Sequence, residues 1–405
     1  MPLTREARMA ILAGIDEAGY GPHLGPLVVA AAAIELAGPE PPDPDLWHAL
    51  RGHVRKRLSG SSTRVVICDS KISYGCAGDL APLERGVLGF LAAAGLRPRS
   101  LAELIEMTHV AASPDGDPPA AAQSRSPQSA QAQSPDARRL DGDAPALPRP
   151  WHRPESLALP TAAAARDIDA AAAHIARGLA KIGARPGGLR INVASAARLN
   201  VLIAGGRNKA DALFSLSAGL LADILHRWPR QAILITMDRH GGRRYYAPLL
   251  AGAFPMTTVE TIEESPGLSR YRLVRGAAGA GGAAGAQLRV PATSDPGCGV
   301  SSPRTPHATG DGPIANEMPA PAAPPVDIAV RDRCESWSLA TALASMVAKY
   351  VRELYMIQLN AYFRSLVPDL APTAGYGRDA WRFLDDVAAA RAAAGVPDAA
   401  ILRTR

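Results

Sequence analysis

Apolar and polar residues follow two kinds of pattern along the chain, and each pattern predicts a type of secondary structure. Near the start, an apolar run at residues 11–15 and a second at 27–34 are separated by glycines and prolines, which predicts two strands joined by a turn. Short apolar runs predict further strands at residues 64–68, 189–193, 232–237, 257–262, 271–274 and 326–330. None of these runs is long enough to span a bilayer.

Segments with apolar residues three and four positions apart predict helices. We place them at residues 45–58, 80–94, 161–182, 208–227, 335–353 and 378–390. The segment at 208–227 shows this period most clearly, and we assign its leucines to the core. The order and spacing of the strands and helices agree with one α/β domain, a mixed sheet flanked by helices.

Two tracts of low complexity interrupt this pattern. Residues 113–155 are mostly Ala, Pro, Ser, Gln and Asp, and residues 276–325 are Gly and Ala followed by Pro, Ser and Thr. Neither has enough large apolar residues to offset the entropy of ordering, so we expect two disordered insertions. They divide one domain into an N-terminal part at 1–112, a central part at 156–275 and a C-terminal part with a helical end at 326–405.

The net charge indicates a class of binding partner, and the cysteine content indicates a cellular compartment. The formal net charge is +6 and the sequence pI is about 9.3, a balance that suits a polyanionic partner such as nucleic acid. The cysteines show no paired metal-ligand spacing, which indicates a reduced intracellular chain; they are Cys68, Cys76, Cys298 and Cys334. The first residues lack the apolar core of a signal peptide. We therefore expect a soluble, cytoplasmic monomer without membrane contact.

Two adjacent acids, Asp16 and Glu17, follow the first apolar run. A buried carboxylate must be paired, protonated or bound to a metal, and neighbouring side chains in a strand point to opposite faces. One interpretation is a solvated acid pair at a surface strand end. The other is a divalent-metal site beside a loop, residues 19–26, that offers backbone amides to a phosphate.

A third acid, Asp238, directly follows the apolar run at 232–237. In open α/β sheets, chemistry occurs at strand ends and in the loops that leave them. The loop after Asp238 contains RRYY at residues 243–246, a mixture of cations and stacking surface that suits a nucleic-acid strand. A basic surface loop with two packed tyrosines explains the same residues equally well.

The residues around the acid pair resemble the opening motif of type 2 ribonucleases H, the ribonuclease HII and HIII family. Residues 14–22 read GIDEAGYGP and residues 24–26 read LGP, against the family pattern G-I-D-E-A-G-R/K-G-P-x-x-G-P. The match is long and ungapped. It departs at Tyr20, where the family has a basic residue between two glycines.

Later segments resemble the same family in the same order. Residues 69–71 repeat its D-S-K, Asp238 falls where its third acid belongs, and residues 375–377 resemble its G-Y-G-T. Residues 335–349 are similar to its segment D-S-K-S-x-S-I-A-A-A-S-I-L-A-K, with Glu335 in place of the family's aspartate.

The resemblance implies a ribonuclease H-like sheet with a site for two divalent ions, Mg²⁺ or Mn²⁺. It also implies hydrolysis of a phosphodiester that leaves a 5′-phosphate and a 3′-hydroxyl. The predicted catalytic metal ligands are Asp16, Glu17, Asp238 and Glu335, with Asp332 as the alternative to Glu335. The residues predicted to contact nucleic acid are Gly19, Tyr20, Gly21, Ser70, Lys71, Arg243, Lys349 and Tyr376.

Three functions stay open, because Tyr20 brings no positive charge to the loop that, in the family, contacts the ribose 2′-hydroxyl. The favoured function is an endonuclease for the RNA strand, or the ribonucleotide junction, of RNA/DNA hybrids. The second is a ribonuclease H-fold nuclease for another structure, such as a DNA junction. The third is a non-catalytic nucleic-acid-binding relative, in which Tyr20 and Glu335 mark the loss of activity.

Overall fold

The computed structural model describes residues 9–39, 43–57, 63–75, 78–110, 147–204, 208–275 and 323–404. Most of the two predicted insertions lies outside these ranges, as do Cys76 and Cys298, so the disorder of the insertions stays a prediction. Cys68 and Cys334 are buried free thiols. Across the described ranges, no helix is both long and apolar enough to cross a membrane.

The described residues form nine strands. In chain order they are β1 Met9–Ala18, β2 Leu27–Ala37, β3 Val54–Arg55, β4 Val65–Val66, β5 Ala184–Ala194, β6 Ala232–Asp238, β7 Thr257–Glu264, β8 Leu268–Arg275 and β9 Val326–Arg331. Seven of them form one mixed sheet in the order β5-β2-β1-β6-β9-β8-β7. The two shortest, β3 and β4, pair with each other in parallel outside that sheet.

The direction of the central strands decides where their ends meet. β1 is parallel to β6, with Ile15 opposite Met237, and β6 is parallel to β9, with Asp238 opposite Arg331. β2 and β5 extend the sheet from β1 in antiparallel register. The carboxyl ends of β1, β6 and β9 therefore lie side by side at one edge, which is where the loops of such sheets carry function.

Helices follow or separate these strands. In chain order they are α1 Ser70–Tyr74, α2 Ala81–Ala93, α3 Leu101–Thr108, α4 Ala165–Lys181, α5 Ala196–Ala204, α6 Lys209–Arg227, α7 Ala247–Ala253, α8 Leu339–Leu366, α9 Gly377–Asp386, α10 Ala388–Ala393 and α11 Asp398–Ile401. Short 3₁₀ turns occupy Pro154–Ser156 and Cys334–Ser336.

The helices cover both faces of the sheet. α2, α4 and α8 pack on one face, where Leu12 of β1 and Leu343 of α8 share a buried cluster. α6 packs on the other face, where Ile11 of β1 and Leu220 of α6 share a second cluster. Adjacent residues of a strand point to opposite faces, so the almost continuously apolar β1 supplies both clusters.

α8 lies very close to β1, and small residues make this approach possible. A Cβ atom on Gly14 would be 2.0 Å from the backbone nitrogen of Thr341, so only glycine fits there. Thr341 Oγ1 lies 2.7 Å from Thr236 Oγ1 on β6, and the Thr236 hydroxyl also donates to Ser338 Oγ at 2.8 Å. These contacts fix the start of α8 near the ends of β1 and β6.

The α/β fold, a mixed sheet flanked by helices, is confirmed, but the helix predicted at 45–58 is wrong. This segment forms turns followed by β3. Trp47 is buried and its Nε1 donates to the carbonyl of Ile67 at 2.8 Å, a contact that ties the turns to the neighbouring segment. The strand predicted at 64–68 is reduced to β4, because it pairs with β3 and not with the main sheet.

The start of the helix predicted from residue 335 is also corrected. Glu335 lies in the 3₁₀ turn that precedes α8, and α8 begins four residues later at Leu339. Ser338 sets this boundary, because its side chain accepts from the backbone N–H of Thr341 and so caps the helix.

Residues 147–155, which the sequence analysis assigns to the first insertion, are among the described residues and pack on α8. The ring of Trp151 lies 5.8 Å from that of Phe363, and Pro154 is buried. The described residues on both sides of each low-complexity tract contribute to the same sheet. The division of the chain into domain parts stays a prediction.

Candidate active site

Three acids lie where two parallel strands end side by side. Asp16 and Glu17 are near the end of β1, and Asp238 ends β6. One carboxylate oxygen from each of the three lies within 4.8 Å of the others. The strand register produces this cluster, because Ile15 pairs with Met237 and the next residue along each strand is an acid. The structure thus brings together three of the four predicted ligands.

Hydrogen bonds from neighbouring groups fix the orientation of these carboxylates. Asp16 Oδ1 accepts from the backbone N–H of Glu17 at 2.8 Å, and Asp238 Oδ1 accepts from the backbone N–H of Cys334 at 3.0 Å. Because the N–H of Cys334 belongs to the 3₁₀ turn after β9, this bond joins the ends of β6 and β9. Asp16 is only 7% exposed, so little water is available to stabilise its charge.

Burial raises the pKa of all three acids. Desolvation is the largest cause for Asp16, whose pKa lies well above its ordinary value, and the charges of Glu17 and Asp238 raise it further. Desolvation, followed by the charge of Asp238, raises the pKa of Glu17 to about 7. Desolvation also raises the pKa of Asp238. Such carboxylates favour a proton or a cation as partner.

The donor set fits a hard divalent cation. The clustered donors are carboxylate oxygens, the ligands that Mg²⁺ and Mn²⁺ prefer. Glu335 adds a further carboxylate that is 7% exposed, and its Oε2 has no hydrogen-bond partner among the described residues. Burial, and then the charges of Asp238 and Asp69, raise the pKa of Glu335, so it lies within electrostatic reach of the cluster. It is not part of the group of oxygens within 4.8 Å.

Asp332, the alternative fourth ligand, has a different environment. Its side chain is 62% exposed, and its Oδ1 lies 3.0 Å from Arg239 Nε in an ion pair. Glu335 is buried and has an oxygen without a described partner. The charge of Asp332 raises the pKa of Asp238 and that of Glu335 raises the pKa of Asp16, so both acids lie within electrostatic reach of the cluster. They differ in burial and in pairing, because Asp332 is exposed and ion-paired, whereas Glu335 is buried and forms no ion pair among the described residues.

α1 brings a cation and a hydroxyl to the acids. Asp69 caps this helix by accepting from the backbone N–H of Lys71 at 2.8 Å. Ser70 Oγ and Ser345 Oγ on α8 form a hydrogen bond at 3.0 Å, and Ser345 also hydrogen-bonds the carboxylate of Asp16. Desolvation is the largest cause of the raised pKa of Glu17, Asp238 and Glu335. The positive charge of Lys71 lowers the pKa of each of them. The predicted pair Ser70 and Lys71 thus lies next to the cluster.

The glycine loop, residues 19–26, follows β1 directly and has a tightly constrained shape. Gly19 has a φ of 93°, and a Cβ there would lie 2.6 Å from the carbonyl oxygen of Pro26. Gly25 has a φ of 82°, and a Cβ there would lie 2.3 Å from Met356 Sδ. Both positions need glycine for conformation and for space.

One tyrosine, Tyr20, lies within the glycine loop, and another, Tyr376, lies beside it. Tyr376 is 46% exposed, and a Cβ on Gly21 would lie 4.0 Å from its Cε1, with no other atom that close. The guanidinium of Arg352 lies 5.3 Å from the Tyr376 ring centroid. Tyr20 is half-buried, and its hydroxyl would lie 3.1 Å from a Cβ on Gly241. The structure therefore brings the predicted residues Gly21 and Tyr376 together, and places the side chain of Tyr20 beside Gly241 in the loop after β6.

A groove with a volume of about 650 Å³ opens beside Tyr20. Basic, aromatic and amide side chains line it, and the lining residues are Tyr20, Asn208, Lys209, Ala210, Arg243, Arg244 and Tyr245. Arg243 forms an ion pair with Asp211, the acid of the capping box that begins α6. Tyr245 is 63% exposed. This combination of cations and exposed rings is typical of surfaces that bind nucleic-acid strands.

Lys349 contacts two side chains of the protein itself. Its Nζ lies 2.7 Å from Glu353 Oε1 and 4.2 Å from the ring centroid of Tyr74. The Tyr74 hydroxyl and Arg352 Nη1 also donate to Glu353, at 3.0 and 2.9 Å. Lys349 is thus part of an internal network around Glu353, and its contact with nucleic acid stays a prediction.

Two buried arginines lie behind the glycine loop, and the sequence analysis singled out neither as a site residue. Arg352 Nη2 donates to the carbonyl of Ala374 at 2.8 Å, and Arg403 Nε donates to the carbonyl of Gly25 at 2.7 Å. Arg352 lies three residues after the segment 335–349 that resembles the family, where the family has R-D after A-K, and this was the available signal for it. Nothing in the sequence marks Arg403, because its partner in the loop lies 378 positions earlier.

Comparisons with known proteins give distant likenesses. No protein-family model and no curated protein matches the chain. Among solved structures, a chain of the PCNA:RNase HII complex from Archaeoglobus fulgidus is 13% identical with a TM-score of 0.35, over 98% of this chain and 94% of that one. Ribonuclease H2 from Pyrococcus horikoshii OT3 is 10% identical with a TM-score of 0.33, over 96% and 92%.

A third solved structure, Bst-RNase HIII in complex with Mn²⁺, is 12% identical with a TM-score of 0.34, over 98% of this chain and 67% of that one. These identities and TM-scores are low. The chemistry of the site therefore follows from this chain's own residues and geometry.

Proposed function

We propose that the chain is a metal-dependent nuclease of the ribonuclease H type. It would hydrolyse the RNA strand, or the ribonucleotide junction, of RNA/DNA hybrids and leave a 5′-phosphate and a 3′-hydroxyl. The observation that carries this proposal is the convergence of Asp16, Glu17 and Asp238, whose oxygens lie within 4.8 Å of one another. The motif around Asp16 and Glu17, which resembles that of type 2 ribonucleases H, supports the same reaction.

In this proposal the three clustered acids and Glu335 hold two divalent ions, Mg²⁺ or Mn²⁺. When bound, such ions activate a water as nucleophile and stabilise the charge that develops on the leaving 3′-oxygen. The protein's own contribution is to fix the carboxylates before the substrate arrives. The paired ends of β1 and β6 do this, together with the hydrogen bond from Cys334 to Asp238. Charges placed in advance need no reorganisation during the reaction.

The residues around the acids would hold the nucleic acid. Gly21 has open space on its surface, so a sugar-phosphate backbone can approach it closely beside Tyr376. Ser70 and Lys71 provide a hydroxyl and a positive charge on α1, and Arg243 lines the groove beside the loop. Donors and cations of this kind position a phosphate backbone. By its place in the family motif, Tyr376 would stack near the sugar of the ribonucleotide.

Tyr20 favours a second candidate, a nuclease of the same fold that cuts another structure such as a DNA junction. In the family, a basic residue stands at this position in the loop that contacts the ribose 2′-hydroxyl. The 2′-hydroxyl is what distinguishes RNA from DNA, so a loop without that charge has a weaker means of requiring it. A third candidate, nucleic-acid binding without cleavage, has less support because the acid cluster is intact.

Cleavage of three labelled duplexes, with Mg²⁺ or Mn²⁺ present, tests these candidates. The duplexes are an RNA/DNA hybrid, a DNA duplex with one embedded ribonucleotide, and an all-DNA duplex. Asp16→Asn removes one acid of the cluster and should abolish cleavage. Asp169→Asn is the matched control, because Asp169 is an exposed acid on α4 that pairs with Arg97 at 2.6 Å.

The outcomes separate the candidates. Cleavage of only the ribonucleotide-containing strands, lost in Asp16→Asn and kept in Asp169→Asn, is the result we expect. Cleavage of the all-DNA duplex would replace the first candidate by the second. Binding of duplexes by the wild type without metal-dependent cleavage would leave only the non-catalytic candidate.

A further inference from the structure

Arg403 lies almost completely buried behind the glycine loop. Its side chain donates to the carbonyls of two loop glycines. Nη1 donates to Gly19, and Nε and Nη2 both donate to Gly25, with Nε at 2.7 Å. Its backbone N–H donates to the carbonyl of His23 at 3.0 Å. Only 3% of Arg403 is exposed. One residue thus holds the beginning, the middle and the end of the glycine loop.

This guanidinium forms no ion pair with a carboxylate among the described residues. Its neighbour Arg352, by contrast, pairs with Glu353 at 2.9 Å. Burial, followed by the charge of Arg352, lowers the pKa of Arg403 to about 9, so Arg403 remains a cation at neutral pH. A buried cation that has only carbonyl dipoles as partners is costly to maintain and leaves a positive potential around the loop. That potential favours an anion on the outer face of the loop.

Arg403 is anchored independently of the loop that it holds. The side chain of Asn200 on α5 donates to the carbonyl of Leu402 at 2.9 Å and accepts from the backbone N–H of Thr404 at 2.7 Å. These two bonds fix the residues on both sides of Arg403. The guanidinium therefore has a fixed position against which the loop is aligned.

The direction of these hydrogen bonds determines what the loop presents outward. In a planar trans peptide the carbonyl and the following N–H point in opposite directions. Because the Gly19 carbonyl points at Arg403, the N–H of Tyr20 points away from it. Gly21, the next residue, has open space on its surface. An amide that points away from Arg403, next to the exposed Gly21, is a suitable place for a phosphate oxygen.

We propose that Arg403 is a positioning residue, which holds the glycine loop in the conformation that binds a phosphodiester of the nucleic acid. The proposal rests on the proposed function, because it takes the nucleic acid of that function as the ligand of the loop. It adds a residue that no sequence motif marks. It also identifies a cation behind the loop of a chain that has Tyr20 where the resembling family has a basic residue.

Three variants test the proposal. Arg403→Met removes the charge and all side-chain hydrogen bonds to the loop. Arg403→Lys keeps the charge but cannot reach several carbonyls with a planar fork. Arg275→Met is the matched control. Arg275 is the last residue of β8, and it also donates to three backbone carbonyls, those of Trp228, Gln231 and Pro324.

The first readout is hydrogen exchange of the backbone amides at residues 19–26 in the protein without nucleic acid. The second is the Kd for an RNA/DNA hybrid in EDTA, where no cleavage occurs. The third is Mn²⁺ binding by the acid cluster. We expect Arg403→Met to speed exchange in the loop, to raise the Kd by about 10-fold or more, and to leave Mn²⁺ affinity within about 2-fold. Arg403→Lys should recover part of the affinity, and Arg275→Met should change neither loop exchange nor Kd.

Failure of this inference is distinguishable from failure of the proposed function. If the wild type binds the hybrid and Arg403→Met binds it equally well, the positioning role is overturned while the proposed function stands. Unchanged exchange at residues 19–26 in Arg403→Met overturns the role whether or not nucleic acid binds. If the wild type binds no nucleic acid, the ligand assigned to the loop is wrong together with the proposed function. Should Arg403→Met fail to fold, Arg403→Lys decides by the same readouts.

Discussion

Asp16 and Glu17 lie buried next to Asp238, which is an unfavourable place for negative charge. Because the pKa of Glu17 rises from 4.5 to about 7, the folded protein keeps a proton that the unfolded chain releases in that range. The contribution of Glu17 to the stability of the metal-free protein should therefore fall as the pH rises from about 4.5 to about 7. A divalent cation that replaces these protons should restore it.

The stabilisation of the protein by Mn²⁺ should therefore depend on pH. We expect Mn²⁺ to raise the Tm more at about pH 8 than at about pH 5, because protons compete with the ion for the carboxylates at the lower pH. Metal-free Asp16→Asn should have a higher Tm than the metal-free wild type at the higher pH, and Mn²⁺ should change it little. Differential scanning calorimetry measures both. Equal Mn²⁺ stabilisation at the two pH values would contradict the prediction.

Tyr20 gives a second prediction at the residue scale. Tyr20→Arg places a cation in the loop beside Gly21, at the position where the resembling family has one. One additional phosphate contact should steepen the plot of log K against log salt concentration for duplex binding by about 0.9. Tyr20→Phe, which keeps the ring without adding charge, is the control and should keep the wild-type slope. An unchanged slope in Tyr20→Arg would show that this position does not face a phosphate.

At the scale of elements, the site depends on how closely α8 approaches the ends of β1 and β6. Gly14 of β1 permits this approach, since a Cβ there would lie 2.0 Å from Thr341 N. The hydroxyls of Thr236 and Thr341, 2.7 Å apart, join β6 to the same turn of α8. The acids therefore have a rigid support on the face of the sheet that α8 covers.

We expect Gly14→Ala to lower the free energy of unfolding by about 2–3 kcal/mol, because α8 must move away from the sheet to admit the methyl group. Gly252→Ala is the matched control. It lies in α7 with nothing within 4 Å of its added Cβ, so it should be neutral or slightly stabilising. Urea unfolding measures both variants. A neutral Gly14→Ala would mean that the contact between α8 and β1 is not tight.

Some features of these elements could be predicted from the sequence, and others depend on contacts that the sequence does not show. An acid directly after an apolar run is a local signal, so the positions of Asp16 and Asp238 at strand ends were predictable, and the parallel pairing of β1 and β6 brings them together. The segment at 45–58 was misassigned because its apolar residues follow a helical spacing but form turns next to β3. Arg403 was missed because its role depends on contacts between residues hundreds of positions apart.

At the scale of the whole molecule, one sheet is assembled from chain segments on both sides of each low-complexity tract. Glu84 of α2 shows how these segments are joined. Its buried carboxylate accepts from the backbone N–H of Thr161 at 2.6 Å, on the far side of the first tract, and from the hydroxyl of Tyr350 on α8 at 3.0 Å, beyond the second. The contacts that support the sheet and the acid cluster are thus made by the described residues.

This arrangement predicts that the two tracts are dispensable for the fold. We expect a chain in which residues 113–146 and 277–322 are replaced by flexible glycine-serine linkers to keep a cooperative unfolding transition, because long surface insertions add little to the free energy of folding. Its affinity for Mn²⁺ should equal that of the intact chain. Calorimetry on both chains measures this. A shortened chain that does not fold would contradict the prediction that the tracts are insertions into one domain.

The central claim is that the parallel ends of β1 and β6 build one metal site. Isothermal titration calorimetry with Mn²⁺ tests it most directly, on the wild type, Asp16→Asn, Asp238→Asn and the exposed control Asp169→Asn. We predict binding to the wild type and to Asp169→Asn, and a loss of affinity of about 10-fold or more when either strand loses its acid. Absence of Mn²⁺ binding in the wild type, or undiminished binding in Asp238→Asn, would contradict the claim.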